Sequence, residues 1–233
     1  MTIALGDMRS MCQRRIADTA ATSFYSSTLM NDFINGRVRT RSGMIERFNP
    51  NYYLEQSTIT GVDDADDSSY EFYSVPSNFR HFVSLSRIFG TGTGRLYQPL
   101  RCVNAENQER YMLSSRTQLA LPDTITNYEQ VVSIWKTQIR IIPAPSSNSY
   151  SYRFKYLRKP ANAVGDSTNL DIPDEWQELI ALDVSIFALS TIGENEALVK
   201  QLNMLRLEEL KNMKDEYRRR SMGFDSIPTL DTM

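Results

Sequence analysis

Residues 139–182 read IRIIPAPSSNSYSYRFKYLRKPANAVGDSTNLDIPDEWQELIAL and join two kinds of structure. β-Branched and aromatic residues recur on both sides of Pro143 and Pro145, which indicates two strands of a hairpin. After a polar loop, Pro173 and two carboxylates open an apolar run that is typical of a buried helix. The segment therefore predicts a β-hairpin that leads directly into helices.

The second strand of this hairpin alternates between aromatic and charged residues. Side chains in a strand point alternately to its two faces. One face carries the aromatic residues Tyr150, Tyr152, Phe154 and Tyr156. The other face carries Ser151, Arg153 and Lys155. We predict that the aromatic face packs in a core and that the charged face meets solvent, a neighbouring subunit or nucleic acid.

Downstream of the hairpin, the apolar spacing predicts two helices. In the first, one face holds Trp176, Leu179, Ile180, Val184, Phe187 and Thr191, and another holds Leu182, Ile186 and Leu189. This helix is expected to be buried nearly all round. Gly193 is expected to end it, and Asn195 to cap the next helix. That last helix is predicted to extend to about Met222, and it carries Leu198, Leu202, Leu205, Leu207, Leu210, Met213 and Tyr217.

Upstream, the chain begins with two further predicted helices. Residues 3–20 place Leu5, Met8, Cys12 and Ile16 at helical spacing. Ser26 or Ser27 is suited to cap the second helix, whose inward residues are expected to be Leu29, Phe33 and Ile34. Gly36 and Gly43 weaken it, so its end is expected between residues 36 and 48, before the stop at residues 49–51.

Between these helices lies a region with strand patterns. Strands are predicted at residues 52–60, 70–75, 82–89, 96–103 and 134–142, with a short helix at residues 105–117. Residues 90–94 read GTGTG, but no Lys-Ser or Lys-Thr pair follows as in a phosphate-binding loop. We interpret this segment as a mobile surface hairpin.

The order of these elements predicts an α+β fold with an insertion. The helical bundle is built from N- and C-terminal helices, in residues 1–50 and 161–222. An inserted antiparallel β-rich domain is predicted over residues 51–160. Residues 223–233 are polar with spaced apolar side chains and are expected to form an extended C-terminal tail that is ordered by a partner.

Charge is distributed in blocks although the whole chain has a formal charge of only −2. Residues 51–75 contain six acids and no Lys or Arg, and residues 161–193 again contain six acids and no base. Residues 76–160 contain twelve basic residues and four acids. Such blocks indicate complementary faces within the fold or between subunits.

No pattern of catalytic, metal-binding or membrane-spanning residues is present in the sequence. Cys12 and Cys102 are isolated, and the single histidine, His81, has no nucleophile motif near it. The acids at residues 63–67 lack the spacing of a calcium loop. No apolar run approaches the ~18 residues of a membrane span, and no signal peptide is recognisable. We therefore expect a soluble intracellular protein that is not an enzyme and has no cofactor or metal.

The sequence of elements resembles that of bacteriophage head-to-tail adaptors, the connector or neck proteins beneath the portal. Four segments carry the resemblance: residues 70–79, 139–145, 152–160 and 170–176 before the helical hairpin. The resemblance implies a structural virion protein that forms a ring, commonly of twelve copies, and lines part of the DNA channel. It would lie in the neck between capsid and tail after synthesis in the host cytoplasm. Its implied partners are the portal protein, a tail or nozzle protein, further copies of itself, and genomic double-stranded DNA in non-specific contact.

The resemblance also implies candidate site residues. Because the C-terminal segment of such adaptors often reaches the portal, the portal-docking candidates are Phe224, Ile227 and Leu230. The intersubunit or DNA-facing candidates are Arg140, Arg153, Lys155, Arg158, Lys159, Arg218, Arg219 and Arg220.

Two alternatives remain open. One is a stand-alone nucleic-acid-binding module with Arg140, Arg153, Lys155, Arg158 and Lys159 on phosphates. The other is a different tail-completion or fibre-attachment protein.

Overall fold

The computed structural model describes residues 2–16, 25–60, 72–90, 92–103, 130–135, 138–142, 151–192 and 196–224. The chain divides into two compact units, one of Met1–Tyr52 with Pro160–Met233 and one of Tyr53–Lys159. The described α-helices all lie in the first unit and the strands in the second. The α+β class predicted from the sequence is confirmed.

Two helices from the N-terminal part of the chain open the helical unit. Helix α1 spans Leu5–Arg15, shorter than the predicted 3–20, and residues 17–24 lie outside the described part. Helix α2 spans Ser27–Phe48 and continues through both glycines. Ser26 caps it as predicted, since its hydroxyl accepts a hydrogen bond from the Leu29 amide at 3.2 Å. The buried stripe of α2 is made of Met30, Ile34, Val38 and Ile45. Leu29 was expected inward and instead is 40% exposed.

A helical hairpin from the C-terminal part completes this unit. A short 3₁₀ turn, Asp174–Trp176, leads into α3, Gln177–Ile192, and α4 spans Glu196–Phe224. Helix α3 contacts α1, α2 and α4, and its side chains are buried on most sides, as predicted. Phe187 and Thr191 are exceptions, because both are exposed rather than inward. Gly193 and Asn195, the predicted helix end and cap, lie outside the described residues.

The start of the predicted C-terminal tail needs correction. Gly223 and Phe224 belong to α4 rather than to an extended segment. A single glycine lowers helix propensity by only about 1 kcal/mol, which does not end a helix that has formed over many turns. The remaining residues of the predicted tail, 225–233, lie outside the described part of the chain.

The loop between the β unit and α3 is bonded to the N-terminal helices. The Leu5 amide donates to the Thr168 carbonyl at 2.9 Å, and the Gly6 amide to the Asp166 carbonyl at 3.0 Å. The Asn35 side chain donates to the Ala163 carbonyl at 2.9 Å and accepts from the Ala163 amide at 3.0 Å. These bonds join parts of the chain that lie far apart in sequence into one unit.

The β unit consists of two four-stranded sheets. The first sheet has the order β1-β8-β3-β4 and is antiparallel throughout. The second has the order β2-β7-β6-β5, in which β5 and β6 are parallel. The prediction of a purely antiparallel domain is therefore wrong for this pair of strands. The strands are β1 Leu54–Thr60, β2 Phe72–Ser74, β3 Phe79–Phe89, β4 Leu96–Pro99, β5 Arg101–Cys102, β6 Val131–Trp135, β7 Gln138–Ile142 and β8 Ser151–Arg158.

Two predicted strands are each divided in the structure. The strand predicted at residues 134–142 is the antiparallel pair β6 and β7. The strand predicted at residues 96–103 is divided between β4 in the first sheet and β5 in the second. Both runs are apolar or β-favouring on either side of the break, so their periodicity did not reveal it. The helix predicted at residues 105–117 lies outside the described residues.

A shared core lies between the two sheets. The buried side chains of this core are Tyr73, Leu85, Val132, Ile139, Ile141, Tyr152, Phe154 and Tyr156. The predicted aromatic face of β8 is therefore confirmed for Tyr152, Phe154 and Tyr156, while Tyr150 lies outside the described residues. Gly90 adopts φ +76° at the end of β3, and β4 returns antiparallel to β3, so the glycine-rich segment connects a hairpin.

Candidate functional site

The outer face of the first sheet carries two of the predicted basic residues. Arg153 and Lys155 alternate along β8 with the buried aromatic side chains and so lie on the face away from the core. The Arg153 guanidinium stacks on the Tyr97 ring, with its central carbon 3.5 Å from the ring centroid. Its Nε is buried and has no hydrogen-bond partner among the described residues. This stacked arginine and the adjacent lysine form a small basic area on the sheet.

Arg158 has an acidic partner within its own unit. Its Nε lies 3.1 Å from Glu55 Oε1, and the same carboxylate accepts hydrogen bonds from the Tyr156 hydroxyl at 2.7 Å and from Asn78 Nδ2 at 2.9 Å. Burial, followed by the hydrogen bond to Glu55, raises the pKa of Tyr156. The charge of Arg158 is thus largely compensated inside the chain, so its attraction for an anionic partner is weaker.

The other predicted basic residues lie in different places. Arg140 is on β7 in the second sheet, opposite buried Ser133 and on the strand face opposite Ile139 and Ile141. Lys159 is exposed just after β8, and Arg219 is exposed on α4. The side chains of Arg218 and Arg220 lie outside the described part. The structure therefore does not bring Arg140, Arg153, Lys155, Arg158 and Lys159 together in one phosphate-binding surface.

An exposed line of residues on α4 was missed by sequence analysis. Lys200, Met204, Leu207, Lys211 and Lys214 follow one another at spacings of four and three, which places them on one side of a helix. We call these five residues the α4 strip. Met204 is 72% exposed and Leu207 63%. Leu205 is also exposed, whereas Leu202 and Met213 are buried.

A buried carboxylate links three helices of the helical unit. Asp183, on α3, is only 6% exposed. Arg41 from α2 donates through Nη2 to Asp183 Oδ1 at 2.8 Å, and Arg206 Nε from α4 lies 2.7 Å from the same oxygen. Two guanidinium groups therefore compensate one carboxylate away from water. In the sequence, the signal for this buried ionic cluster was the single Asp within the apolar residues of α3.

The cysteines and the histidine show no catalytic arrangement in the described residues. Cys12 is fully buried, and burial raises the pKa of its thiol to about 12, so the reactive thiolate is not populated at neutral pH. Cys102 and His81 are exposed on strands. Across the described ranges, no group of His, Cys, Asp and Glu side chains is arranged to hold a metal ion.

Two further predictions concern membranes and the portal. Among the described helices, none combines the length and apolar character needed to cross a bilayer. Of the three portal-docking candidates, Phe224 is the last residue of α4. Ile227 and Leu230 lie outside the described residues, so the structure does not place them.

Comparison with known proteins gives one match over nearly the whole chain. A family model described as SU10 adaptor protein matches residues 3–226 and so covers both compact units. A search of curated proteins returned no match.

Proposed function

Because the chain belongs to the SU10 adaptor protein family, and is thus a phage adaptor-type protein, we propose that it forms a ring beneath the portal of a virion. In this proposal the ring contains twelve copies, joins the capsid to the tail and encloses part of the channel through which DNA passes. The family match over residues 3–226 is the observation that carries the proposal. A structural role also agrees with the exposed apolar and charged side chains of the described residues.

Contact with the portal is assigned to the end of the chain. Phe224 would leave α4 at its last turn, and Ile227 and Leu230 would follow as apolar anchors. Each fully buried anchor contributes about 1.5–3 kcal/mol before the cost of ordering the segment is subtracted. Twelve copies on one ring would strengthen a weak contact through avidity.

The DNA-facing and intersubunit roles are assigned to those predicted basic residues that lie on the surface of the described structure. Arg153 and Lys155 lie together on the outer face of the first sheet, and Lys159 and Arg219 are exposed. Arg158 has the smallest expected effect of the candidates because Glu55 compensates it. A channel through which DNA slides is better served by such scattered cations than by one continuous basic surface, since phosphate binding increases with the number of cations engaged.

The first experiment is a mass measurement of the protein mixed with the portal ring of the same genome. A defined complex with about one copy per portal subunit is expected, and native mass spectrometry or light scattering would show it. If both proteins stay separate at micromolar concentration, the portal proposal is wrong. Salt-dependent binding to duplex DNA without any partner would then favour the nucleic-acid-binding alternative.

The tail assignment has its own test. Deletion of residues 225–233 leaves α4 intact, since that helix ends at Phe224. We expect the truncated protein to keep its circular dichroism spectrum and melting temperature and to lose binding to the portal. A matched control replaces Asp225 and Ser226 by Ala and keeps the apolar residues, so it should still bind. Unchanged binding by the truncated protein would exclude Ile227 and Leu230 as anchors.

A further inference from the structure

The α4 strip places two exposed apolar side chains between exposed lysines, and the exposed acids Glu196 and Glu208 lie one turn from Lys200 and Met204. Met204 and Leu207 are among the most exposed large apolar side chains of the described chain, and they occupy the middle of the strip. Lys200 lies before them, and Lys211 and Lys214 lie after them, all exposed. Exposed apolar residues grouped in this way are typical of a surface that another protein covers.

The charge of the strip restricts what can cover it. Two strips facing each other in antiparallel orientation would place Met204 beside Leu207 but also Lys200 beside Lys211. A parallel arrangement would likewise place each lysine beside its own copy. Like charges held together disfavour either pairing. The occupant should therefore present an apolar side chain within an acidic surface.

The helical unit carries such a surface on the loop that precedes α3. Val164 is 85% exposed, more than any other large apolar residue that the structure describes. Residues 161–175 contain the acids Asp166, Asp171, Asp174 and Glu175 and no Lys or Arg. Asp166 is 65% exposed even though Arg9 binds it with two hydrogen bonds.

The backbone around Val164 is fixed although its side chain is open. Ala163, just before it, exchanges two hydrogen bonds with the Asn35 side chain. Just after it, the Gly165 amide donates to the Thr168 hydroxyl at 3.2 Å, and the Thr168 amide donates to the Gly165 carbonyl at 2.8 Å. We call residues 163–168 the Val164 loop. A fixed loop loses little conformational freedom when it binds, which favours association.

We propose that the Val164 loop of one copy docks on the α4 strip of the next copy. Val164 would lie between Met204 and Leu207, with the acidic surface of the loop segment beside the lysines. This proposal rests on the proposed ring. The loop is bonded to α1 and α2, whereas α4 packs on α3, so the two surfaces are formed by different elements of the helical unit. A contact between two different surfaces repeats from copy to copy, and it generates a ring when the rotation between copies closes.

Disulfide crosslinking tests this contact directly. In a Cys102→Ser background, the two single variants Val164→Cys and Leu207→Cys are mixed with the portal ring and oxidised mildly. Buried Cys12 remains in place, since its thiol is inert. Only the mixture should give a covalent dimer, and the double variant should give a ladder of species up to the full ring. A disulfide needs Cα atoms closer than about 7 Å, so unrelated surfaces do not form it efficiently.

The outcomes separate this proposal from the proposed function. If light scattering shows the ring and the mixture forms no crosslink, the docking surface is wrong while the ring proposal stands. If either single variant crosslinks with itself, the contact is two-fold and the proposal is overturned. If no oligomer forms on the portal, both proposals fail.

Substitutions provide a second measurement. Val164→Ser is expected to raise the concentration at half-assembly about tenfold, which corresponds to the loss of one buried apolar side chain. Leu29→Ser is the control, because Leu29 is an exposed apolar residue outside both surfaces. Equal effects of the two substitutions, or no effect of Val164→Ser, would overturn the proposal.

Discussion

Helices α3 and α4 are neighbours in one hairpin, yet they bury their apolar residues to very different extents. Helix α3 is surrounded by α1, α2 and α4, so nearly every side of it is covered. Helix α4 packs mainly on α3, buries Leu202 and Met213, and leaves Met204 and Leu207 in solvent. Helical spacing of apolar residues thus indicates a helix but does not report how many neighbours the fold provides. The apolar residues left over on α4 are available to another chain.

The largest change in the free energy of unfolding is expected at Asp183, the buried acid of α3. Asp183→Asn removes the carboxylate that compensates Arg41 and Arg206, so we expect the free energy of unfolding to fall by about 3–5 kcal/mol. Urea unfolding followed by circular dichroism measures the loss. Asp166→Asn is the matched control, since Asp166 also pairs with an arginine but is exposed, and its loss should be much smaller. Equal losses would mean that burial does not distinguish the two pairs.

A pair of leucines tests the comparison of the two helices themselves. Leu179→Ala on α3 leaves a cavity at a fully buried site and should reduce the free energy of unfolding by about 2–4 kcal/mol. Leu207→Ala on α4 should change it by no more than about 0.5 kcal/mol, because the side chain is largely solvated. Thermal unfolding of the isolated protein measures both. A large loss at Leu207 would show that the strip is already covered within the chain.

The smallest change in stability is expected at Glu209, a partly buried acid of α4. Burial, followed by the charges of Glu178, Glu208 and Glu216, raises the pKa of Glu209. The folded state therefore binds this proton more tightly than the unfolded state, and stability increases as the pH falls through the folded pKa of Glu209. Glu209→Gln should stabilise the protein at pH 7 by roughly 0.2–0.5 kcal/mol.

The pH dependence of that gain is the decisive observation. The difference in melting temperature between Glu209→Gln and the original protein should shrink as the pH is lowered and Glu209 becomes protonated. A gain that stays constant with pH would point to altered helix propensity rather than to charge. Gln and Glu have similar helix propensities, so this alternative is expected to be small.

Features encoded in neighbouring residues were predictable from the sequence. The alternation along β8 and the apolar run of α3 predicted which side chains of these two elements are buried. This was possible because local spacing determines which side chains share a face. The break between β6 and β7 was missed although Lys136 and Thr137 interrupt the apolar residues, because β-favouring residues stand on both sides and the whole run was assigned to one strand.

Contacts between distant residues escaped the sequence analysis. Glu55 compensates Arg158, which lies more than a hundred residues further along the chain, so a count of basic residues overestimated the cationic surface. The exposure of the α4 strip was also missed, because leucine spacing predicts a helix without showing which leucines a neighbouring element covers. Family membership was accessible because the order of elements is itself a property of the whole sequence.

The bonds between Asn35 and Ala163 have a consequence for the growing chain on the ribosome. Helices α1 and α2 are synthesised first, but α3 and the preceding loop follow only after roughly one hundred residues of the β unit. At usual elongation rates, α1 and α2 wait about 5–20 seconds for their partners. Protease digestion of nascent chains arrested before residue 160 should therefore cut within α1 and α2. During that interval the uncovered apolar sides of these helices are open to chaperones and to other unfinished chains, and newly made protein is exposed to misassembly before the proposed ring can form.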